Sequence, residues 1–198
     1  MDATEAIGGP TPGQIRAGLA SRRPDEVRAA LEGMATRLEF GEEFPLPPFG
    51  AEVLEPFGDD APESVQLLLL DLIKRWPFEP PAPDAHWMQV AIDLLLRFGV
   101  SRIALELELG VVNSEDPVEA AKRVLDKLAA ADLAGRGVEG AKAFISYVLD
   151  AGGEVRRATI EALAHWPRDA QHDEVVRSLA PELCTEERAL LPQLNAAG

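Results

Sequence analysis

The sequence is poor in cysteine and in long apolar runs. Cys184 is the only cysteine among 198 residues, so no internal disulfide is expected and a reducing, cytoplasmic compartment is favoured. The longest apolar run, residues 67–70, ends at Asp71, far short of the roughly 20 residues that span a bilayer. The acidic N-terminal segment also lacks the basic start and apolar region of a signal peptide. We therefore expect neither a membrane span nor a membrane partner.

Aromatic residues are also scarce. Trp, Tyr and Phe together number 11, whereas Ala and Leu number 56, and this composition favours helices over strands. Apolar residues recur at spacings of three and four along most of the chain, which is the helical period. The sequence predicts an all-α fold of ten or eleven helices in a single domain over residues 1–198, with a disordered tail at 1–11.

Prolines and glycines mark the expected helix ends. Pro24 opens a helix that Gly41 ends, and a helix after Pro62 stops before Pro77. Ser114 is the expected N-cap of a helix with Pro117 in its first turn. Other predicted helices are a segment from Asp84 to Gly99 and residues 137–149, 154–164 and 172–183. The proline-rich stretches 41–62 and 76–84 are expected to be irregular connections.

Apolar residues near the helix starts follow a regular spacing. The separations are 38, 35, 38 and 37 residues in one series, Val27, Val65, Val100, Val138 and Val175. They are 38, 37, 28 and 37 in the other, Ile15, Val53, Val90, Val118 and Val155. A period near 37 that contains two helices is typical of stacked helix pairs. About five such pairs would account for the chain, and the alternative is an irregular helical bundle.

Two segments carry a family resemblance. GGEVRRATIEALAHWP (152–167) and, less closely, RPDEVRAALEGMATRL (23–38) resemble the second helix of HEAT-type repeats, where Val-Arg opens the helix and Ala and Leu follow at helical spacing. The resemblance covers about two of the five units, because Val65 and Val138 are not followed by Arg. It implies a curved α-solenoid that binds proteins or, in some members, nucleic acid.

The net charge of −15 is unevenly distributed. Residues 41–85 contain 10 acids against two bases, a net charge of −8, and 9 of the 16 prolines. Acids beside exposed aromatic side chains would form a binding surface, whereas phenylalanines packed against helix ends would not. The predicted partner-binding residues are Glu42, Glu43, Phe49, Glu52, Glu55, Phe57, Asp59, Asp60, Glu63, Trp76 and Trp87.

A surface of this charge predicts a basic partner protein. In size, acidity and helicity the chain is similar to the small immunity proteins that neutralise basic toxins, often nucleases, in bacteria. That resemblance implies an inhibitor of such a toxin. Direct nucleic-acid binding is disfavoured, because the few adjacent basic pairs have acids close in sequence.

No catalytic residue, cofactor or metal site is predicted. Gly135, Gly137 and Gly140 match G-x-G-x-x-G, but a helix precedes them where a dinucleotide site needs a strand, so we expect a loop. Pro167 separates His165 from His172, which does not give the i, i+4 pair of a helical metal site. We expect His165 at a helix C-terminus and His172 at the start of the next helix.

The candidate nucleophiles have no recognisable activating base. Acidic neighbours disfavour the thiolate of Cys184, and Ser146 is expected to be a small packing residue. The chain is therefore expected to be non-catalytic. The alternative is an enzyme or small-ligand-binding protein with a pocket between helices, lined by His86, Trp87 or Tyr147.

Overall fold

The computed structural model describes residues 11–21, 23–39, 62–75 and 83–195. All regular secondary structure in these ranges is helical, with eleven α-helices and no strand. The all-α fold expected from the composition is confirmed. The tail predicted at 1–11 and the connections predicted at 41–62 and 76–84 fall mostly on residues outside the described ranges.

The helix bounds follow the proline and glycine signals closely. The α-helices are α1 (Pro12–Leu19), α2 (Pro24–Glu39), α3 (Glu63–Arg75), α4 (Pro83–Phe98), α5 (Ser101–Val112), α6 (Pro117–Ala130), α7 (Gly137–Asp150), α8 (Gly153–Leu163), α9 (Ala170–Leu179), α10 (Thr185–Leu190) and α11 (Pro192–Asn195). A 3-10 turn, Ala180–Glu182, follows α9. The predicted helix 172–183 is therefore too long, because Pro181 has no N–H to continue the helical hydrogen bonds.

The N-cap of α6 differs from the expectation. Asp116, not Ser114, caps this helix, since its Oδ1 accepts a hydrogen bond of 3.0 Å from the backbone N–H of Glu119. The Ser114 hydroxyl instead donates to the carbonyl of Val111, at 2.7 Å. Ser114 thus satisfies the end of α5, and Asp116 places a negative charge at the positive end of the α6 dipole.

The chain divides into two compact units, residues 1–90 and 91–198, with the division inside α4. In the first unit α2 packs against both α1 and α3. Its core contains Ile15, Leu31, Met34, Leu69 and Leu72, which are almost completely buried. The single domain expected from the sequence stays a prediction.

In the second unit, helices pack against the helix two places further along the chain. Contacts join α5 to α7 and α7 to α9, and further contacts join α6 to α8. We call α5, α7 and α9 the first row, and α6 and α8 the second row. The rows also touch each other, since α5 packs on α6 and α7 on α8. The core between them includes Leu107, Val124, Phe144, Ile145 and Leu163, all fully buried.

Candidate interaction surface

Nine of the eleven predicted partner-binding residues lie outside the described ranges: Glu42, Glu43, Phe49, Glu52, Glu55, Phe57, Asp59, Asp60 and Trp76. Glu63 is the first residue of α3 and is exposed. Trp87 lies in α4 and is a core side chain, with only 7% of its surface exposed. The acidic surface expected around residues 41–85 stays a prediction.

The residues expected to line an internal pocket give it little support. Trp87 is buried and Tyr147 is half-buried on α7, whereas the side chain of His86 is not among those that the structure describes. A groove of about 600 Å³ does lie between α1 and α2, along small residues that include Ala17, Gly18 and Gly33.

Polar groups at this groove are already engaged within the chain. Arg23 pairs with Glu26 at 2.8 Å, and Arg28 pairs with Glu32 at 2.9 Å. The amide oxygen of Gln14 accepts a hydrogen bond from the backbone N–H of Thr11. These polar side chains therefore bind one another or the backbone, and the contacts among the described residues do not orient them toward a ligand.

The exposed face of α5 is apolar. Leu109 is 43% exposed and Val112 is 38% exposed, two of the three large apolar side chains that are exposed in the described part of the chain. Leu105 is half-buried and lies four residues before Leu109. Residues at i, i+4 and i+7 share one side of a helix, so these three side chains form a single stripe. We call Leu105, Glu108, Leu109 and Val112 the α5 face.

Glu108 is the polar member of the α5 face. Its side chain makes no hydrogen bond or ion pair with any described residue, whereas Glu106 of the same helix pairs with Arg102 at 3.4 Å. Partial burial raises the pKa of Glu108 above its usual value, because desolvation disfavours the charged carboxylate. The α5 face therefore combines an apolar stripe with a carboxylate that no cation of the described residues compensates.

The α5 face is not among the predicted binding residues, although the sequence contains a signal for it. The opposite side of α5 carries Ile103, Ala104, Leu107 and Val111, which are buried and already complete the core stripe. A helix needs only one apolar stripe to pack. A second stripe on the same helix is therefore more apolar surface than the packing of α5 requires.

The two rows differ in the charge that they expose. Along the first row the accessible acids are Glu106, Glu108, Glu139, Asp150, Asp173 and Glu174, against the bases Arg102, Lys142 and Arg177. Along the second row the acids are Glu119, Asp126, Glu154 and Glu161, against Lys122, Arg123, Lys127, Arg156 and Arg157. The first row is thus net acidic and the second is close to neutral.

Arg156 joins three elements of the second unit. Its guanidinium donates two hydrogen bonds to the Glu187 carboxylate, at 2.7 and 2.8 Å. It also donates to the carbonyl of Leu149 at the end of α7, and to the carbonyl of Glu182 in the 3-10 turn. Two-point binding of a carboxylate by arginine is among the strong polar contacts of proteins, so this network fixes α8 against α7 and α10.

The same network determines the ionisation of Glu187. Hydrogen bonds from Arg156 and from the backbone N–H of Cys184 lower the pKa of Glu187 to about 2. Cys184 is exposed and immediately precedes α10. Ser146, expected to be a packing residue, is half-buried and its hydroxyl donates to Glu182 at 2.8 Å. Ser146 and Glu187 thus have hydrogen-bond partners within the chain.

His172 resembles a catalytic histidine only in part. Its Nδ1 lies 2.7 Å from a carboxylate oxygen of Asp169, and its Nε2 lies 3.3 Å from the carbonyl of Leu128. The ring is 3% exposed and packs edge-on against Trp166. Because both ring nitrogens are engaged inside the protein, neither is presented to a substrate.

Both histidines lie where the sequence predicts them. His172 lies in the first turn of α9, and His165 lies just after α8, with its Nδ1 at 2.8 Å from the Glu161 carbonyl.

The glycines of the G-x-G-x-x-G match have a packing role. Gly135 lies in a turn with φ +62°, and the element before it is helix α6, which confirms the loop prediction. A Cβ atom on Gly140 would collide with the backbone oxygen of Leu95. Glycine at this position therefore lets α7 approach the C-terminal part of α4 closely.

Searches for further site types among the described residues give no candidate. No three His, Cys, Asp or Glu side chains in this part of the chain are grouped to hold a metal ion. None of its helices has the length and apolar character needed to cross a membrane.

Comparisons of the chain with protein-family models, with curated proteins and with solved structures found no match.

Proposed function

We propose that this protein is a non-catalytic binding module built from HEAT-like stacked helix pairs, which presents an acidic surface to a basic partner protein. The observation that carries the proposal is the order of helix contacts in residues 101–179, where α5, α7 and α9 pack in sequence and α6 packs on α8. Stacking of alternate helices is the arrangement by which helical repeats build an extended surface.

Charge supports the choice of a basic partner. The segment 41–85 carries −8 of the total −15, and the first row adds a net acidic surface in the second unit. Opposite charge on a partner accelerates encounter and disfavours wrong partners. In its sharper form the proposal is an immunity or inhibitor protein whose partner is a basic toxin, such as a nuclease domain.

The test is capture of the partner from the native source by the purified chain, with identification by mass spectrometry. The variant reverses four acids of the segment: Glu42→Lys, Glu43→Lys, Asp59→Lys and Asp60→Lys. A control variant makes the same change in net charge at the four exposed acids of the second row: Glu119→Lys, Asp126→Lys, Glu154→Lys and Glu161→Lys.

We expect the unmodified chain to retain a partner of high isoelectric point, with a yield that falls as salt rises. Reversal in the segment should reduce retention at least about tenfold, whereas the control variant should retain most of it. Equal retention by all three proteins would contradict the acidic-surface proposal. A partner that is acidic, or is a small molecule or nucleic acid, would contradict the choice of partner.

A further inference from the structure

We propose that the α5 face is a docking site for a basic amphipathic helix of the partner protein. Apolar side chains of that helix would cover Leu105, Leu109 and Val112, and a lysine or arginine would pair with Glu108. This inference rests on the proposed function, because it names one surface of the second unit through which a basic partner is bound.

The dimensions of the face fit a helix. From Leu105 to Val112 the stripe covers two turns, which is about 10 Å along the α5 axis. A helix laid against it would present its own residues at i, i+3, i+4 and i+7 over the same length. The three apolar side chains lie on the solvent side of α5, and Ile103, Leu107 and Val111 lie on the core side, so covering the stripe requires no rearrangement of the core.

Charge complementarity determines the kind of helix. Glu108 is partly removed from water and makes no ion pair with any residue of the described ranges. A cation supplied by the partner would compensate the carboxylate, and surrounding apolar contacts would shield the pair from solvent. The other accessible side chains of the first row are mainly acidic, including Glu139, Asp150 and Glu174, and they favour the approach of a basic segment.

The occupant must therefore be both apolar and basic. A purely apolar segment would leave Glu108 buried and uncompensated, which carries a desolvation penalty. An acidic segment would add repulsion from Glu108 and from the rest of the first row. A segment with basic and apolar residues on adjoining sides of one helix meets both requirements.

A defined probe tests this site without knowledge of the natural partner. The probe is a fluorescent peptide of about 18 residues, five helical turns, made of leucine and lysine in an amphipathic pattern. A second peptide has glutamate in place of every lysine. Affinities are measured by fluorescence anisotropy with the full chain, and backbone amide shifts in NMR spectra locate the bound peptide.

Two pairs of variants distinguish binding at the α5 face from nonspecific binding of the peptide elsewhere on the surface. Leu109→Ser combined with Val112→Ser removes the stripe, and Leu190→Ser is the control at an exposed leucine of α10 that is 59% exposed. Glu108→Gln removes the carboxylate, and Asp126→Asn is the control at an exposed acid of α6, in the second row. Circular dichroism verifies that each variant keeps its helical content.

We expect the lysine peptide to shift amides of residues 105–112. The double serine variant should weaken binding about tenfold or more, and Glu108→Gln about fivefold. Both controls should stay within about twofold, the range of an exposed surface change. Binding of the glutamate peptide with equal affinity, or equal weakening by the controls, would overturn the proposal.

Other occupants give different results. If the chain forms dimers that the double serine variant dissociates in analytical ultracentrifugation, the α5 face binds a second copy and the proposal is wrong. A second outcome is that the four charge reversals in residues 41–85 abolish partner capture, while the variants of the α5 face change neither capture nor peptide binding. In that case the α5 docking site is wrong and the proposed function still holds. If α5 variants abolish peptide binding while the segment reversals leave capture unchanged, the α5 site stands and the proposed role of residues 41–85 fails.

Discussion

Glu108 and Glu187 are two glutamates of the same unit with opposite surroundings. Glu187 accepts two hydrogen bonds from Arg156, and these contacts lower its pKa to about 2. Glu108 lies beside Leu105, Leu109 and Val112 on the α5 face, and burial raises its pKa. The first carboxylate is used by the fold, whereas the second makes no hydrogen bond or ion pair with the residues that the structure describes. This difference distinguishes a structural polar site from a surface available to a partner.

Among the polar contacts, the largest effect is expected at Arg156, on the structural side of the comparison. Arg156→Ala removes both hydrogen bonds to Glu187 and leaves the carbonyls of Leu149 and Glu182 without this donor. We expect the free energy of unfolding to fall by about 2–3 kcal/mol, because partly buried charged contacts are lost together. Urea denaturation followed by circular dichroism measures it.

The neighbouring arginine provides the control. The side chain of Arg157 is 82% exposed, and among the described residues it pairs only with Glu161, four residues along the same helix. Arg157→Ala should therefore cost at most about 0.5 kcal/mol. If the two variants destabilise the protein equally, the network around Arg156 contributes no more to the stability of the fold than an exposed ion pair does.

A smaller effect is expected from the pH dependence of Glu187. Its pKa is depressed in the folded state, so its contribution to stability is fully present above the usual value near 4.5 and is lost as the pH falls toward about 2. Glu187→Gln should reduce the free energy of unfolding at neutral pH by about 1–2 kcal/mol. In acid, the free energies of unfolding of the variant and the unmodified protein should become more similar. Denaturation series between about pH 2 and 7 test this. A difference that stays constant over that range would contradict the role of the ionised carboxylate.

The contribution of Glu108 to the free energy of unfolding should depend on pH in the opposite direction. Its raised pKa means that the folded state binds the proton more tightly than the unfolded state, so the charged carboxylate reduces stability once the pH exceeds the usual value. Glu108→Gln should therefore raise stability at neutral pH by a few tenths of a kcal/mol, and the gain should disappear in acid. The same denaturation series measures it, and Glu139→Gln is the control. Destabilisation at neutral pH would mean that Glu108 has a stabilising role in the fold.

Much of the fold follows from local sequence signals. Pro24, Pro117 and Gly99 mark helix ends that the structure places within a residue or two, because these residues restrict or release the backbone independently of tertiary packing. Val100 and Val138, which belong to one regular series, lie at the starts of α5 and α7, whereas Val175 of the same series is the sixth residue of α9. The valines of this series therefore do not occupy the same position in each helix.

The candidate site was less predictable than the fold. Periodicity marks apolar positions on a helix, but it does not tell which of two apolar stripes faces the core. In α5 that distinction between Leu107 and Leu109 depends on tertiary contacts with α6 and α7. The partners of Arg156 are likewise distant in sequence, since Glu187 follows it by 31 residues. Charge counting located an acidic segment, but it did not reveal which carboxylates are already paired.

The smallest change in stability is expected on the α5 face itself. Leu109→Ser replaces a side chain that is 43% exposed, so the free energy of unfolding should change by less than about 0.5 kcal/mol. Leu107→Ser, two residues away on the buried side of the same helix, should cost about 3 kcal/mol or more, because it leaves a cavity and buries a hydroxyl. Urea denaturation of both variants measures the contrast. A large loss at Leu109 would place it in the core, and the α5 face would then be part of the fold rather than a surface open to a partner.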